Sequence, residues 1–243
     1  MKASPRQQLE LLVMQECDTK LARLTYDAQN LPEHKKLAEI TGRRDDMTRF
    51  VATAQSELGD QRREAQKITA DVERLKSRQA LTQERLDKGL GDMKELQRMQ
   101  DELDTIAKRL EKVEYQQMES DETIAELETR LENGKKELVA LNEDVAATMK
   151  HRDELLADLK SQAQPLIDKR RAAMEIVGPE LTAEYDAIRK STGGLGAVAL
   201  RGRVVESMSI QFTATEWERI RSAAPDEVIT SEDMEWILVR VED

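Results

Sequence analysis

From Leu37 to Leu86 apolar residues recur in a three-four alternation broken only at Arg44, Gln61, Gln79 and Thr82, with charged and polar residues filling most places between. The same alternation runs from Leu96 to Thr148, broken at Gln117, Ser120, Gly134 and the final Thr148. A repeat averaging half a heptad lays one apolar stripe along a helix, and two such stripes bury each other as a coiled coil. Between them lies LDKGLGDMKEL, in which Gly89 and Gly91 interrupt the pattern and Asp92 stands three residues before Glu95, the spacing of a helix cap. Matched seams around one short break predict an antiparallel hairpin, each helix roughly 80 Å long at about 1.5 Å per residue. The tip falls on Lys88, Gly89, Leu90, Gly91 and Asp92. Folding there sets Gln61 opposite Gln117 and Ser120, a polar layer of the kind that fixes register at a cost in stability.

A shorter seam through Met14, Cys17, Leu21, Leu24, Ala28 and Leu31 precedes the hairpin, and Pro32 with Glu33 marks the next helix start. This third helix is expected to fold back on the hairpin base, with Cys17 as a small buried hydrophobe. His34 and His151 sit in charged helical contexts, brought near one another at the base by the hairpin, and read as solvated or helix-end groups. After Val145 the seam shifts by four to Met149, then Leu156, Leu159 and Leu166, a stutter. Pro165 lacks a donor and crowds the preceding turn, so the helix is expected to kink or end there.

A new helix is expected from Pro179 through Leu181, Tyr185 and Ile188. STGGLG reads as a flexible joint; it precedes a strand rather than opening a helix, so its glycines do not form a phosphate cradle. AVALRGRVVE, MSIQF and EWILVRV read as strands, and TATEWERIRSAA as a helix opened by Thr213 and Glu216. The expected division is 1–178 for the helical hairpin and 179–243 for a linker helix with a small α+β domain.

Composition agrees with long helices: of 243 residues 36% are charged, only 3% aromatic, and Gly and Pro are few. The formal net charge of -11 weighs against a general polyanion binder, because affinity for nucleic acid rests largely on Lys and Arg neutralising phosphates. Arg189, Lys190, Arg201 and Arg203 nevertheless form a local basic cluster around the glycine joint. The single Cys17 permits no internal disulfide. LELLVMQE is interrupted by charge, and no run approaches the ~20 apolar residues needed to span a bilayer, so the expected setting is cytoplasmic, without membrane insertion.

LVMQECDTKLARL followed by NLPEHKKL, KELQRMQDEL after the tip, LTAEYDAIRKSTGGLGAVAL, and APDEVI with WILVR together resemble the bacterial coiled-coil proteins that end in a C4-type zinc ribbon. The resemblance spans essentially the whole chain through order and spacing rather than any one motif. It implies a mainly α fold: a long antiparallel coiled-coil hairpin with a third, N-terminal helix at its base, and a small α+β zinc-ribbon-like carboxyl-terminal domain. Members carry one Cys-x-x-Cys after the glycine joint and another before the final strand. Those positions fall here on Val205 and Met208, and on Ser231 and Met234. The resemblance therefore implies a degenerate ribbon whose metal is replaced by apolar packing, with Val205, Met208, Phe212, Trp217, Met234 and Trp236 as the candidates for that core.

No Ser-His-Asp set, His-x-x-x-His pair or phosphate loop occurs, and the many carboxylates read as solvated coiled-coil faces. The functional expectation is a non-enzymatic adaptor with a protein partner and no cofactor, acting as monomer or homodimer. The alternative is an RNA- or DNA-binding regulator using the basic joint and the ribbon-like domain. Zinc demands thiolate or imidazole donors that these positions lack. Metal analysis of untagged protein is expected to give well under one zinc per chain; stoichiometric zinc would contradict the reading.

Overall fold

The computed structural model describes Met1–Asp243 apart from residues 203, 206–207, 232–233 and 242–243; the side chains of 208–211 also lie outside the described residues. In chain order the elements are α1 (Pro5–Gln29), α2 (Pro32–Asp87), α3 (Met93–Val177), α4 (Pro179–Ser191), β1 (Ala197–Arg201), β2 (Val204–Val205), β3 (Met208–Gln211), α5 (Ala214–Ser222), β4 (Ile229–Thr230) and β5 (Ile237–Val241). They form two compact units, Lys35–Met149, and Met1–His34 together with Lys150–Asp243.

The first unit is the hairpin. The predicted seams meet in antiparallel order: Ile40 packs with Leu141 and Val145, Ala54 and Leu58 with Leu131, and Val72 and Leu75 with Ile106 and Leu110. Cross-hairpin ion pairs flank this seam, among them Arg62–Glu128 at 2.6 Å and Lys76–Glu114 at 2.7 Å. Exposed pairs of this kind contribute about 0–1 kcal/mol each, so burial along the seam supplies the stability and the charges chiefly select the register. At the turn, the backbone N–H of Asp92 donates to Glu95 Oε2 at 3.0 Å and that of Glu95 to Asp92 Oδ1 at 2.7 Å, the reciprocal cap that the spacing predicted.

The second unit has one core. Leu11 and Met14 of α1, Val177 of α3, Leu181 and Tyr185 of α4 and the inner strands pack together, all nearly or fully inaccessible. The sheet order is β3-β2-β1-β5-β4, with β1 and β5 parallel and the other pairs antiparallel. Ile237, Leu238 and Val239 are buried in succession. Such an unbroken apolar run marks a strand covered on both faces. On the β4 side, Ala3 N–H donates to the Asp226 carbonyl at 2.8 Å and Val228 N–H to the Met1 carbonyl at 3.2 Å, so the first residues lie along the segment that leads into β4. The Arg219 guanidinium donates to the Thr230 carbonyl at 2.9 Å, which occupies an acceptor on that short strand.

Three features differ from the sequence reading. The compact units do not divide at 178/179, because α1 and the end of α3 bury their apolar faces in the same core as the sheet. Pro165 does not end the helix: α3 continues from Met93 to Val177 with Pro165 on its exposed side. Ser161, whose carbonyl loses its helical partner at Pro165, is an exposed residue, and water access there lowers the cost of the missing bond. The third difference is the glycine joint, which is held rather than loose.

Candidate functional site

The joint is held from α1. Gln15, on the buried side of that helix, accepts from Gly196 N–H at 2.7 Å and Ala197 N–H at 3.3 Å through Oε1, and its Nε2 donates to the Gly194 carbonyl at 2.9 Å. Gly196 is required by close approach: a Cβ there would sit 2.5 Å from the Tyr185 ring. The Tyr185 hydroxyl donates to Asp18 Oδ2 at 2.9 Å, and Arg170 Nε donates to Asp18 Oδ1 at 2.7 Å. Arg170 also reaches Asp186 of α4 at 2.7 Å. Asp18 is 4% exposed, and burying a carboxyl group there is tolerable because a guanidinium and a phenol both donate hydrogen bonds to it.

These residues tie α1, α3, α4 and the start of β1 together. Sequence reading missed the cluster. Its only local signal is Asp18 and Gln15 beside the apolar positions Met14 and Cys17, and nothing in that stretch announces partners more than 150 residues away. Cys17 itself is buried, as expected, and burial pushes its thiol above the ordinary range. The His34 ring donates through Nε2 to the Ala28 carbonyl, 3.0 Å away, whereas His151 faces Glu33 at 3.6 Å, so the two rings have different partners.

The expected basic cluster is divided. Arg189 Nε points inward to within 3.5 Å of Asp18 Oδ2. Lys190 and Arg201 lie on the exposed surface, and Arg203 lies outside the described residues. The proposed ribbon positions are divided as well. Val205 is 1% exposed and pairs with Leu200 on one side and Met208 on the other. The Met208 side chain is outside the described residues. Ser231 is 8% exposed in a tight turn, its N–H donating to the Trp236 carbonyl at 2.9 Å and its own carbonyl accepting from Glu235 N–H at 3.1 Å.

Met234 is expected in the apolar core but is 44% exposed: Trp236 turns inward while Met234 and Glu235 stay on the surface. Trp217 is only partly buried against the core. A buried valine has no lone pair to offer, a serine hydroxyl is a poor zinc ligand, and Met234 faces away from the interior; the residues present do not fit a zinc site. Among the described residues no group of three or more His, Cys, Asp and Glu side chains could hold a metal ion. None of the described helices is long and apolar enough to cross a membrane.

At the hairpin tip, Lys88 to Asp92 connect α2 and α3, with Gly89 and Gly91 at positive φ. Leu90 is 54% exposed and Met93, the first residue of α3, 84% exposed.

Burial away from water raises the Tyr185 pKa first, and the Asp18 carboxylate raises it further. The folded chain therefore keeps this proton where an ordinary tyrosine, with pKa about 10, gives it up; stability present below that pH is lost as pH rises beyond it. The melting temperature of the native chain is expected to fall more steeply between about pH 9 and 11 than that of Tyr185→Phe. Equal slopes would contradict a buried, Asp18-bonded phenol.

A family model described as the CT398-like coiled coil hairpin domain matches residues 14–193. A Mycobacterium tuberculosis protein described as uncharacterized is 26% identical over 242 residues, covering 100% of this chain and 98% of that protein. A solved structure from Mycobacterium smegmatis is 28% identical, covers 99% of this chain and 100% of its own, and superposes with a TM-score of 0.83. The structure of CT398 from Chlamydia trachomatis, at 19% identity, covers 97% of this chain and 98% of its own with a TM-score of 0.70 and shares the fold. Seams, tip and the α4 helix all lie within the matched span, and the chain belongs to the CT398-like coiled coil hairpin family.

Proposed function

We propose that this protein is a non-enzymatic adaptor whose hairpin tip docks a protein partner. The observation that carries the reading is the pair Leu90 and Met93, 54% and 84% exposed at the turn, next to a helix surface otherwise rich in charge. Exposed large apolar side chains at a capped turn suit a small hydrophobic contact, whereas the polar groups that converge on Asp18 pair with one another in the core. The tip lies outside both seams, so it is free to vary in chemistry without loss of the coiled coil. Membership in a coiled-coil hairpin family supports a scaffolding role.

The nucleic-acid alternative is less favoured, because Arg189 is drawn toward buried Asp18 and the remaining basic residues of the joint stand against a net charge of -11. The carboxyl-terminal unit is read as a degenerate, metal-free ribbon-like module that serves as a second docking platform.

Leu90→Asp and Met93→Asp should leave helicity and melting temperature unchanged while abolishing recovery of the partners that the native chain captures by cross-linking in its own cells. Recovery of the same partners by both variants would exclude the tip as the docking surface.

A further inference from the structure

The hairpin seam is not buried evenly along its length. On α2 no residue between Leu58 and Val72 is buried, and on α3 Ser120 is the one buried residue between Leu110 and Leu131. The apolar clusters on either side are separate: Ala54, Leu58 and Leu131 form one, and Val72, Leu75, Ile106 and Leu110 the other. Between them Gln61, Ile68, Gln116, Ser120 and Thr123 line a shallow groove. Ser120 is 5% exposed, and its hydroxyl has no hydrogen-bond partner among the described residues. Among the described residues the Gln117 side chain makes one long contact, donating to Thr69 Oγ1 at 3.5 Å. A half-buried polar layer with one buried hydroxyl left unbonded contributes little cohesion, and that hydroxyl costs desolvation.

A second feature stands at the edge of this layer. Gly59 occupies the interior of α2, and an added methyl there would meet nothing nearer than Arg63 Nη1 at 3.7 Å. Packing does not require this glycine, in contrast to Gly134, where a Cβ would come within 2.9 Å of the Phe50 ring. A mid-helix glycine without a packing role weakens its helix relative to alanine.

We infer that the middle of the hairpin, around residues 59–70 and 114–123, is a built-in hinge, at which the two helices part or bend while the clusters on both sides stay paired. The helices are continuous through the layer, so the motion separates the pair rather than breaking either helix. A hinge there lets the tip reorient without unzipping from its end. Low local stability follows from the sparse apolar burial of the segment.

Hydrogen exchange followed residue by residue on the full chain distinguishes a hinge from fraying. Amides of 61–70 and 114–123 should be at least about tenfold less protected than those of the clusters on both sides, giving a minimum in mid-hairpin. Gly59→Ala combined with Ser120→Leu should raise protection of the minimum by about tenfold and leave the flanking clusters unchanged. Protection that declines smoothly toward the tip, or a middle as protected as its flanks in the native chain, would overturn the inference, as would a minimum that the double variant leaves in place.

Discussion

A carboxylate with almost no access to water cannot stay charged without partners, and Asp18 is such a group. Its two oxygens are taken by Arg170 from α3 and Tyr185 from α4, with Arg189 drawn close. One turn earlier, Gln15 binds the backbone on both sides of Leu195. Together these contacts fix where α4 ends, how the glycine segment passes Tyr185 and where β1 begins. The parallel pairing of β1 with β5 and the antiparallel strands outside it are built outward from that start. Breaking one partner of such a cluster is costly because the others remain buried and unpaired.

The hairpin rests on a different physics. Its stability comes from apolar layers repeated along two helices, and its direction reverses at one capped turn. Charges on the flanks specify register, whereas the polar layer at Ser120 trades cohesion for an interruption in the seam. The tip carries no burial duty, which leaves Leu90 and Met93 available to a partner.

The hairpin was legible because its signal is local and repeated. Every seven residues restate the same stripe, and Asp92 with Glu95 announces a cap within one turn. The short helix after Thr213 was legible for the same reason, its cap hydroxyl accepting from Glu216 N–H at 3.2 Å. What escaped was long-range. Nothing near Gln15 reveals that its amide satisfies a loop some 180 residues later, so the joint read as flexible and the division of the chain was placed at its linker helix. Met234 enters the expected core as a former ligand position that the resemblance assigns, yet it is 44% exposed, whereas Trp236, just after Glu235 at a φ of 62°, is buried.

The Gln15 and Asp18 contacts make α1 part of the same cooperative unit as the carboxyl-terminal sheet. Residue-resolved amide exchange on Gln15→Leu measures this most directly, since the substitution keeps the bulk of the side chain while removing every bond to the loop. The account predicts that amides of β1, β5 and α1 lose protection together and by a similar factor. Full native protection of the sheet in that variant, with loss confined to the loop at Gly194–Gly196, would contradict it.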